Sequence, residues 1–520
     1  MGSQSTMGLT AGLFMGAQAL AVSRVGIEVA GHNISNVNTA NFARQRVNLQ
    51  TDVASNTSVG PQGHGVIALE IQQLRNFLLD SQMPGNISNE QYLDQKSKLM
   101  AQVTSNIGQT VDNVESLAGT TVTTTTDGLQ EAFDAFYNAF ESLSADPTSS
   151  VLRQQVVLGS DAVARKLNTI SDNLSTLQGQ ILNQADQNLT DINDELANVA
   201  DLNRQIYNME LGGAYTANDL RDSRQRAIEE LSGKIDLYTQ EEANGTLTVR
   251  LHGSTGALLV SKFDSGSSAT SSTYALSRGG TVPTTAVYGA TGGGAAALLA
   301  VQPDKGTLSA QLEVANSIGT SGALVADRSG MLGQYDNIAS SFAGLVNAQH
   351  ALGYTLQNPP YYDVAGTDHY FVDDVAALNI TAANITLSSA ISSNQNLIAA
   401  SDTPGNTALA TLGQPNNGDN ALLIARLRDS TAGATTGGQT IQSYYLGNLT
   451  ALGSSLRSND SQLSTQQVVN QELEKQRNSV MGVSVDEEMA DLIRFQQSYA
   501  ASARFISTIQ SMFDSIMAIR

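Results

Sequence analysis

The stretch VDEEMADLIRFQQSYAASARFISTIQSMFDSIM, residues 485–517, decides the fold. Within it Val485, Met489, Leu492, Gln496, Tyr499, Ala503, Ile506, Gln510, Phe513 and Met517 follow a 4-3 alternation without a slip. That alternation predicts a helix with a seam for a partner helix. At 1.5 Å per residue the helix would be roughly 50 Å long. Asp486, Glu487 and Glu488 fall in its first turn, where the helix dipole favours negative charge. Ser484, with Glu487 three residues on, has the form of a capping box.

The opposite end of the chain supplies the partner. Leu13, Leu20, Ile27 and Ile34 recur every seven residues, with Gly16, Ser23 and Ala30 between them. Small residues beside a seam let a second helix approach closely. Gly31, His32 and Asn33 weaken this helix, and 36–41 reads as a turn. The apolar run from Leu9 to Val22 lacks a basic leader, and its pattern continues to Val37, so it reads as mature structure rather than a cleaved signal. No run approaches 18 consecutive apolar residues, so no membrane-spanning helix and no membrane insertion are expected.

The interior repeats the theme. Val163, Leu167, Ile170, Leu174, Leu177 and Ile181 form a seam that continues through Gln184 and Asn188 to Ile192, Val199, Ile206 and Met209. A helix over about 151–209 would be on the order of 90 Å long. Further helices are expected from Gly330 to Leu352, with Tyr335, Ile338, Phe342, Leu345 and Leu352 on one face, and over about 442–480. The latter's seam of Leu449, Leu452, Leu456, Leu463 and Leu473 is interrupted by Asn459, Gln466 and Asn470. Strands are expected at 66–71, at 247–251 after the Asn244-Gly245 turn with 258–260 pairing back, and in short runs between Tyr361 and Leu387.

The expected fold is therefore mainly α with β insertions: a terminal coiled coil plus an elongated helical bundle carrying a β-hairpin-rich part. Residues 1–50 and 482–520 would form the coiled coil, 51–245 and 322–481 the helical domain. Residues 246–321 would form the β-rich part, with a mobile Ser/Thr/Gly-rich segment at 265–294.

Composition narrows the function. A net charge of −21, with no run of Lys or Arg, leaves no basic patch to release phosphate counterions, so nucleic acid is not an expected partner. The absence of cysteine removes disulfides, thiolate nucleophiles and Cys-based metal sites. No P-loop, His-Glu-x-x-His or Gly-x-Ser-x-Gly occurs, and His32, His64, His252, His350 and His369 lack metal spacing. Gly63-His64-Gly65 imitates a dinucleotide fingerprint, but its glycines precede a strand-like run instead of opening a helix. Asp373 and Asp374 are adjacent, and neighbours on a strand point to opposite faces. No catalytic residue, cofactor or metal is expected.

The run from Ala19 to Thr39, with Asn33-Ile-Ser-Asn36-Val-Asn38-Thr39, resembles the N-terminal signature of flagellar rod, hook and hook-associated proteins. It departs in Ala40-Asn41-Phe42, where the family has Pro-Gly-Tyr or similar, and Asn41 is expected to carry the turn in place of the Gly. Arg44-Gln45-Arg46-Val47, and Gly482-Val-Ser-Val-Asp486-Glu487-Glu488 with Leu492-Ile-Arg-Phe-Gln-Gln-Ser-Tyr499 after it, resemble the hook-associated protein 1 family in particular. Stretches 63–82 and 330–353 resemble its interior.

The resemblance implies a structural, self-assembling subunit of the hook–filament junction, exported without signal cleavage through the flagellar type III apparatus to an extracellular site. Its implied partners are further copies in a ring, the hook protein, hook-associated protein 3, and a cytoplasmic chaperone at the C-terminal helix. It implies assembly through the terminal seams; members of the family often carry a further variable β domain, for which this chain leaves little room, so that domain is expected to be reduced or absent. The alternatives are another axial protein, hook or distal rod, and an extracellular enzyme on a flagellar scaffold. The Val485-Asp-Glu-Glu488 helix start and the long helical interior speak against the first. The second needs a carboxylate or metal site that the middle of the chain does not display. In an isolated chain the unpartnered seams are expected to leave residues 1–50 and 485–520 unstructured, since backbone ordering costs roughly 1–2 kcal/mol per residue.

Overall fold

A computed structural model describes residues 2–57, 60–108, 128–211, 216–242, 244–252, 258–260, 275–279, 287–291, 304–319, 330–356, 370–373, 380–403, 414–431 and 436–518. In chain order the elements are α1 (Gly2–Ser35), β1 (Gln45–Thr51), β2 (Ser55–Thr57), β3 (Gly60–Gln62), β4 (Val66–Gln73), α2 (Phe77–Asn106), α3 (Leu129–Ala145), α4 (Ser150–Glu210) and α5 (Asn218–Lys234). They continue with β5 (Leu237–Glu241), β6 (Leu247–Leu251), β7 (Leu258–Val260), β8 (Ala275–Gly279), β9 (Val287–Thr291), α6 (Thr307–Ile318) and α7 (Gly330–His350). Last come β10 (Phe371–Asp373), β11 (Ile385–Leu387), α8 (Ser389–Ser393), α9 (Asp419–Arg426), α10 (Ile441–Met481) and α11 (Val485–Ala518). The chain is mainly α with small antiparallel β pieces, as its periodicities indicate.

The spine is α4, whose 61 residues span about 90 Å. Ser149 caps it, its hydroxyl accepting the Leu152 N–H at 3.4 Å. Val163, Leu167, Ile170, Leu174, Leu177 and Ile181 are buried along one face. Beyond them the seam runs through buried Ala185 and Leu189, not through Gln184 and Asn188 as the strict heptad predicted. A straight helix turns 3.6 residues per turn, so its buried face drifts off a 3.5-residue repeat. Met209, expected on the seam, is exposed, while Ile206 is buried.

Against the start of α4 packs α3, with Phe133, Phe136, Tyr137 and Phe140 all buried. Their rings meet Phe342 of α7 and Phe371 of β10, with Phe136 and Phe342 edge-to-face at 5.0 Å. Leu352, expected on the apolar face of α7, lies beyond its end and is exposed. Arg153 is buried in this region without a carboxylate. Its guanidinium donates to the carbonyls of Pro147 (2.7 Å), Gln395 (3.0 Å) and Ile398 (2.9 Å). Burial lowers its pKa to about 10. His350 is buried nearby. Its Nε2 accepts the Ala399 N–H at 3.0 Å, and burial lowers its pKa to about 4, which keeps the ring neutral at pH 7.

The polar residues that interrupt the α10 seam are its contacts with α2. Asn459 donates to the Leu93 carbonyl at 2.8 Å, Gln466 donates to Asn86 Oδ1 at 3.0 Å, and Asn89 donates to Gln466 Oε1 at 2.7 Å. Polar groups that bond one another across a half-exposed interface avoid the cost of unsatisfied burial.

The β-rich part begins earlier than expected, since β5 precedes residue 246 and forms the sheet β5-β6-β7. Gly245 turns β5 into β6 at φ +77, where a Cβ would strike Glu210 and Arg221. α6, expected within the β part, is a helix that packs on α2 and α4. The segment 265–294, expected to be mobile, contributes the antiparallel pair β8–β9, and its other residues lie outside the described ones. The anticipated strand at 378–380 falls largely outside them too, as do His369 and Asp374. Gly65, at φ +103, is a turn leading into β4 and opens no helix.

At the ends, α1 and α11 run together within a single chain, joined by the most extensive helix–helix contact among the described residues. The expectation that these ends stay unstructured in one copy does not match this arrangement. Small residues on α1 let the two backbones approach, so a single partner half-buries a seam thought to need several. Leu9–Ser35 of α1 is also long and apolar enough by composition to cross a membrane, contrary to the run-length reading. Its leucines, isoleucines, valines and alanines keep the mean hydropathy high, while glycines and single polar residues interrupt every apolar run.

Candidate functional site: the clasp at the chain ends

Where α1 meets α11, glycines on one helix face large side chains on the other. A Cβ at Gly26 would lie 2.6 Å from the Phe495 ring, one at Gly16 2.6 Å from Ile506 Cγ1, and one at Gly12 2.9 Å from Ile509 Cδ1. Ser23 Oγ meets Ser498 Oγ at 3.2 Å. On α1 the buried positions are Gly16, Ser23, Gly26, Val29, Ala30 and Asn33, whereas Leu13, Leu20, Ile27 and Ile34 flank them half-buried.

On α11 the seam is turned from its expected position. Leu492, Ile506 and Phe513 are half-buried, but Val485, Met489 and Tyr499 are exposed. The other half of the seam is Glu488, Phe495, Ser502 and Ile509, again seven residues apart. Apolar residues on α11 are numerous enough to draw two such lines. Only the shape of α1 selects one, because Phe495 needs a glycine opposite. The heptad spacing of Phe495 and Ile509 was the available signal, masked by Glu488 and Ser502 between and before them.

Glu488 belongs on the seam because a polar clasp receives it. Although charged, it is only 3% exposed. Its Oε1 accepts from Arg44 Nε at 2.6 Å and its Oε2 from Asn33 Nδ2 at 3.0 Å. Arg44 Nη1 also donates to Glu487 at 2.7 Å. Burial alone would lower the Arg44 pKa, but the charges of Glu488 and Glu487 raise it above its ordinary value. Ser484 takes the cap position by its carbonyl, which accepts the Glu488 N–H at 3.0 Å. Glu487 is engaged by Arg44, so the capping-box expectation gives way to an ion pair. Asp486 is exposed in the same turn.

Asn33 uses its whole amide. Nδ2 donates to the Gln45 carbonyl at 2.8 Å and to Glu488, while Oδ1 accepts the Gln45 N–H at 2.9 Å. The loop 36–44 is thereby closed at its neck. Asn36 donates to the His32 carbonyl at 3.0 Å and accepts from Thr39 Oγ1 at 3.1 Å. Asn38 is exposed at the tip. Asn41 takes φ +61, the left-handed conformation that asparagine tolerates where the family has glycine.

The loop then grips the helical domain. Gln45 Nε2 donates to Asp219 Oδ1 at 2.9 Å, Arg477 Nη2 to Asn41 Oδ1 at 3.0 Å, and Arg226 Nη2 to the Ala40 carbonyl at 3.2 Å. Asp222 of α5 accepts from Arg75 at 2.5 Å and from Gln73 at 2.9 Å. Burial raises the Asp222 pKa, only partly opposed by Arg75. Burial likewise raises that of Asp80, which Arg75 also contacts at 3.2 Å. The motif residues Asn33, Asn36, Thr39, Arg44, Gln45, Glu487 and Glu488 are thus brought together, and Asn38 and Asp486 are not. Asp219, Asp222, Arg226 and Arg477 were missed because nothing in their local pattern marks a contact across hundreds of residues. Among the described residues no three His, Cys, Asp or Glu side chains gather as metal ligands.

Residues 119–364 match the model of the flagellar hook-associated protein FlgK helical domain, and residues 475–519 that of the flagellar basal body rod FlgEFG protein C-terminal region. The first covers the α3–α7 domain and the second the end of α10 with α11. Flagellar hook-associated protein 1 of Bacillus subtilis is 25% identical across 97% of both chains.

The chain is similar to flagellar hook-associated protein 1 along nearly its whole length.

Flagellar hook-associated protein 1 of Salmonella typhimurium and that of Escherichia coli are 21% and 22% identical, each over 96% of this chain and 98% of their own. The fold is similar to that of the flagellar hook junction protein FlgK from Burkholderia pseudomallei, with a TM-score of 0.58 and 15% identity, over 77% of this chain and all of that one. Against this family background the α1–α11 pair and its clasp occupy the two termini, at opposite ends of the sequence.

Proposed function

We propose that this protein is a structural axial component of the bacterial flagellum that forms the hook–filament junction by self-assembly through its terminal helices. The observation that carries the reading is full-length similarity to hook-associated protein 1 sequences, 97% of each chain with the Bacillus subtilis relative. The terminal pair supports the assembly step. At 100° per residue, exposed Val485, Met489 and Ile493 lie on one flank of the α11 seam, and exposed Phe505, Met512 and Ile516 on the other. Apolar residues left on both flanks of a helix pair suit neighbours on both sides in a ring.

On this reading the further partners are the hook protein, hook-associated protein 3 and a cytoplasmic chaperone for α11. The protein is exported uncleaved by the type III apparatus, acts outside the cell, inserts in no membrane, and neither catalyses a reaction nor needs a metal. The test is Leu492→Asp combined with Ile506→Asp. A charge forced into the seam has no partner there and is costly to bury, so filament growth is expected to cease while the α4 domain melts normally. Adding the purified variant to isolated hooks separates failed assembly from lost chaperone binding. Normal filaments from the double variant overturn the proposal.

A further inference from the structure

We infer that the loop 36–44 makes the pairing of α1 with α11 conditional on its own docking to the helical domain. This deepens the assembly reading and rests on it for its biological consequence, though its test needs only the purified monomer. The inference starts from Arg44, which faces both ways. Its backbone N–H donates to the Met481 carbonyl at 3.0 Å and its carbonyl accepts the Leu74 N–H at 2.8 Å, both outside the helix pair. Its side chain holds Glu487 and Glu488 at the start of α11. Where the loop sits therefore fixes where the guanidinium sits.

Glu488 cannot enter the seam without that guanidinium, because a buried carboxylate stripped of one partner is strongly unfavourable. Asn33, the other partner, is oriented by two bonds to Gln45, which is itself tied to Asp219. The loop has independent anchors that touch neither terminal helix: Arg477 to Asn41, Arg226 to Ala40, and the Asp222 carboxylate facing the Ala43 N–H at 3.4 Å. Losing these anchors frees the loop, moves Arg44, and leaves Glu488 to be buried alone. The helical domain thus controls, through nine residues of loop, whether a chain presents paired ends. Such a device lets a folded helical domain license the ends for assembly.

The experiment is hydrogen exchange on the full-length purified monomer carrying Asn41→Gly with Arg226→Met. Glycine keeps the positive φ but removes the acceptor for Arg477. Exchange over 489–510 is expected to rise at least ten-fold, while α4 exchanges as in the parent chain, which shows that the domain remains folded. Asn38→Ala, in the same loop but at its exposed tip, is expected to leave both unchanged. In a Glu488→Gln background, where no charge awaits burial, the effect of the loop variants is expected to shrink below three-fold. The inference is overturned by α11 protection that survives the loop variants, by an equal rise in the Glu488→Gln background, or by a parent chain whose α11 is already unprotected. Normal filaments from loop variants that show the expected rise in exchange would instead count against the assembly reading alone.

Discussion

α4 buries twenty-two of its 61 residues, and α11 buries two of its 34, Glu488 and Ile509. Both carry heptads, yet α4 is enclosed by α3, α5, α6 and α7, whereas α11 has α1. A fully buried Leu or Ile contributes roughly 1.5–3 kcal/mol, so α4 is held by its own domain many times over. The terminal pair depends on a few close approaches, Phe495 on Gly26 above all, and on one polar clasp. A heptad is thus a statement about periodicity, and the number of neighbours decides what it is worth.

The largest expected effect lies on the α4 side. Phe136→Ala removes a ring packed against Tyr137, Phe140, Phe342 and Phe371. It should cost about 3–5 kcal/mol, read as a lower midpoint in urea unfolding. A much smaller loss would show that the domain core is not the dominant store of stability. Gly26→Leu should separate the two regions more sharply. With a Cβ already 2.6 Å from Phe495, the added side chain forces the helices apart. Amide exchange in the N-terminal half of α11 should rise by at least ten-fold, while domain melting stays within about a degree. Concerted loss of both would mean that the pair and the domain unfold as one unit.

Two carboxylates should differ in the sign of their pH dependence. Burial raises the Glu210 pKa, but the Arg221 guanidinium and the Ala217 N–H outweigh it and hold it below its ordinary value. Its stabilisation is therefore full above the unfolded value, about 4.3, and is lost as pH falls through the folded one. Glu210→Gln should cost about 1–2 kcal/mol at pH 7, with the gap to the parent closing in acid. Asp222 is raised instead, so its folded form binds the proton more readily. Its contribution should grow as pH falls toward the ordinary aspartate value of about 3.9. Thermal melts of the two single variants from pH 7 to pH 3 would expose matching trends if either direction is wrong.

The smallest effect tests the seam register itself. Met489→Ser, at an exposed position that the heptad assigned to the seam, should change monomer stability by less than about 0.5 kcal/mol. Phe495→Ser should raise exchange across α11. The reverse ranking would restore the seam expected from the sequence.

The sequence by itself determined the helices whose apolar spacing is long and regular: α4, α7, α10, α11 and most of α1. It also determined the turn at Asn41 and the likeness of both ends to one family. These are local properties, readable from the spacing of residues within one or two turns. Only the tertiary structure decided which of two apolar lines on α11 is buried, because that choice rests on the glycines of a helix more than 450 residues away. It alone turned Glu488 from a first-turn charge into the centre of a clasp, since a carboxylate's role depends on which cations reach it. Asp222 and Arg477 carry no sign of partnership in their own neighbourhoods. They acquire it when α5 and α10 are folded against the loop, and burial there makes each unpaired charge too costly to leave alone.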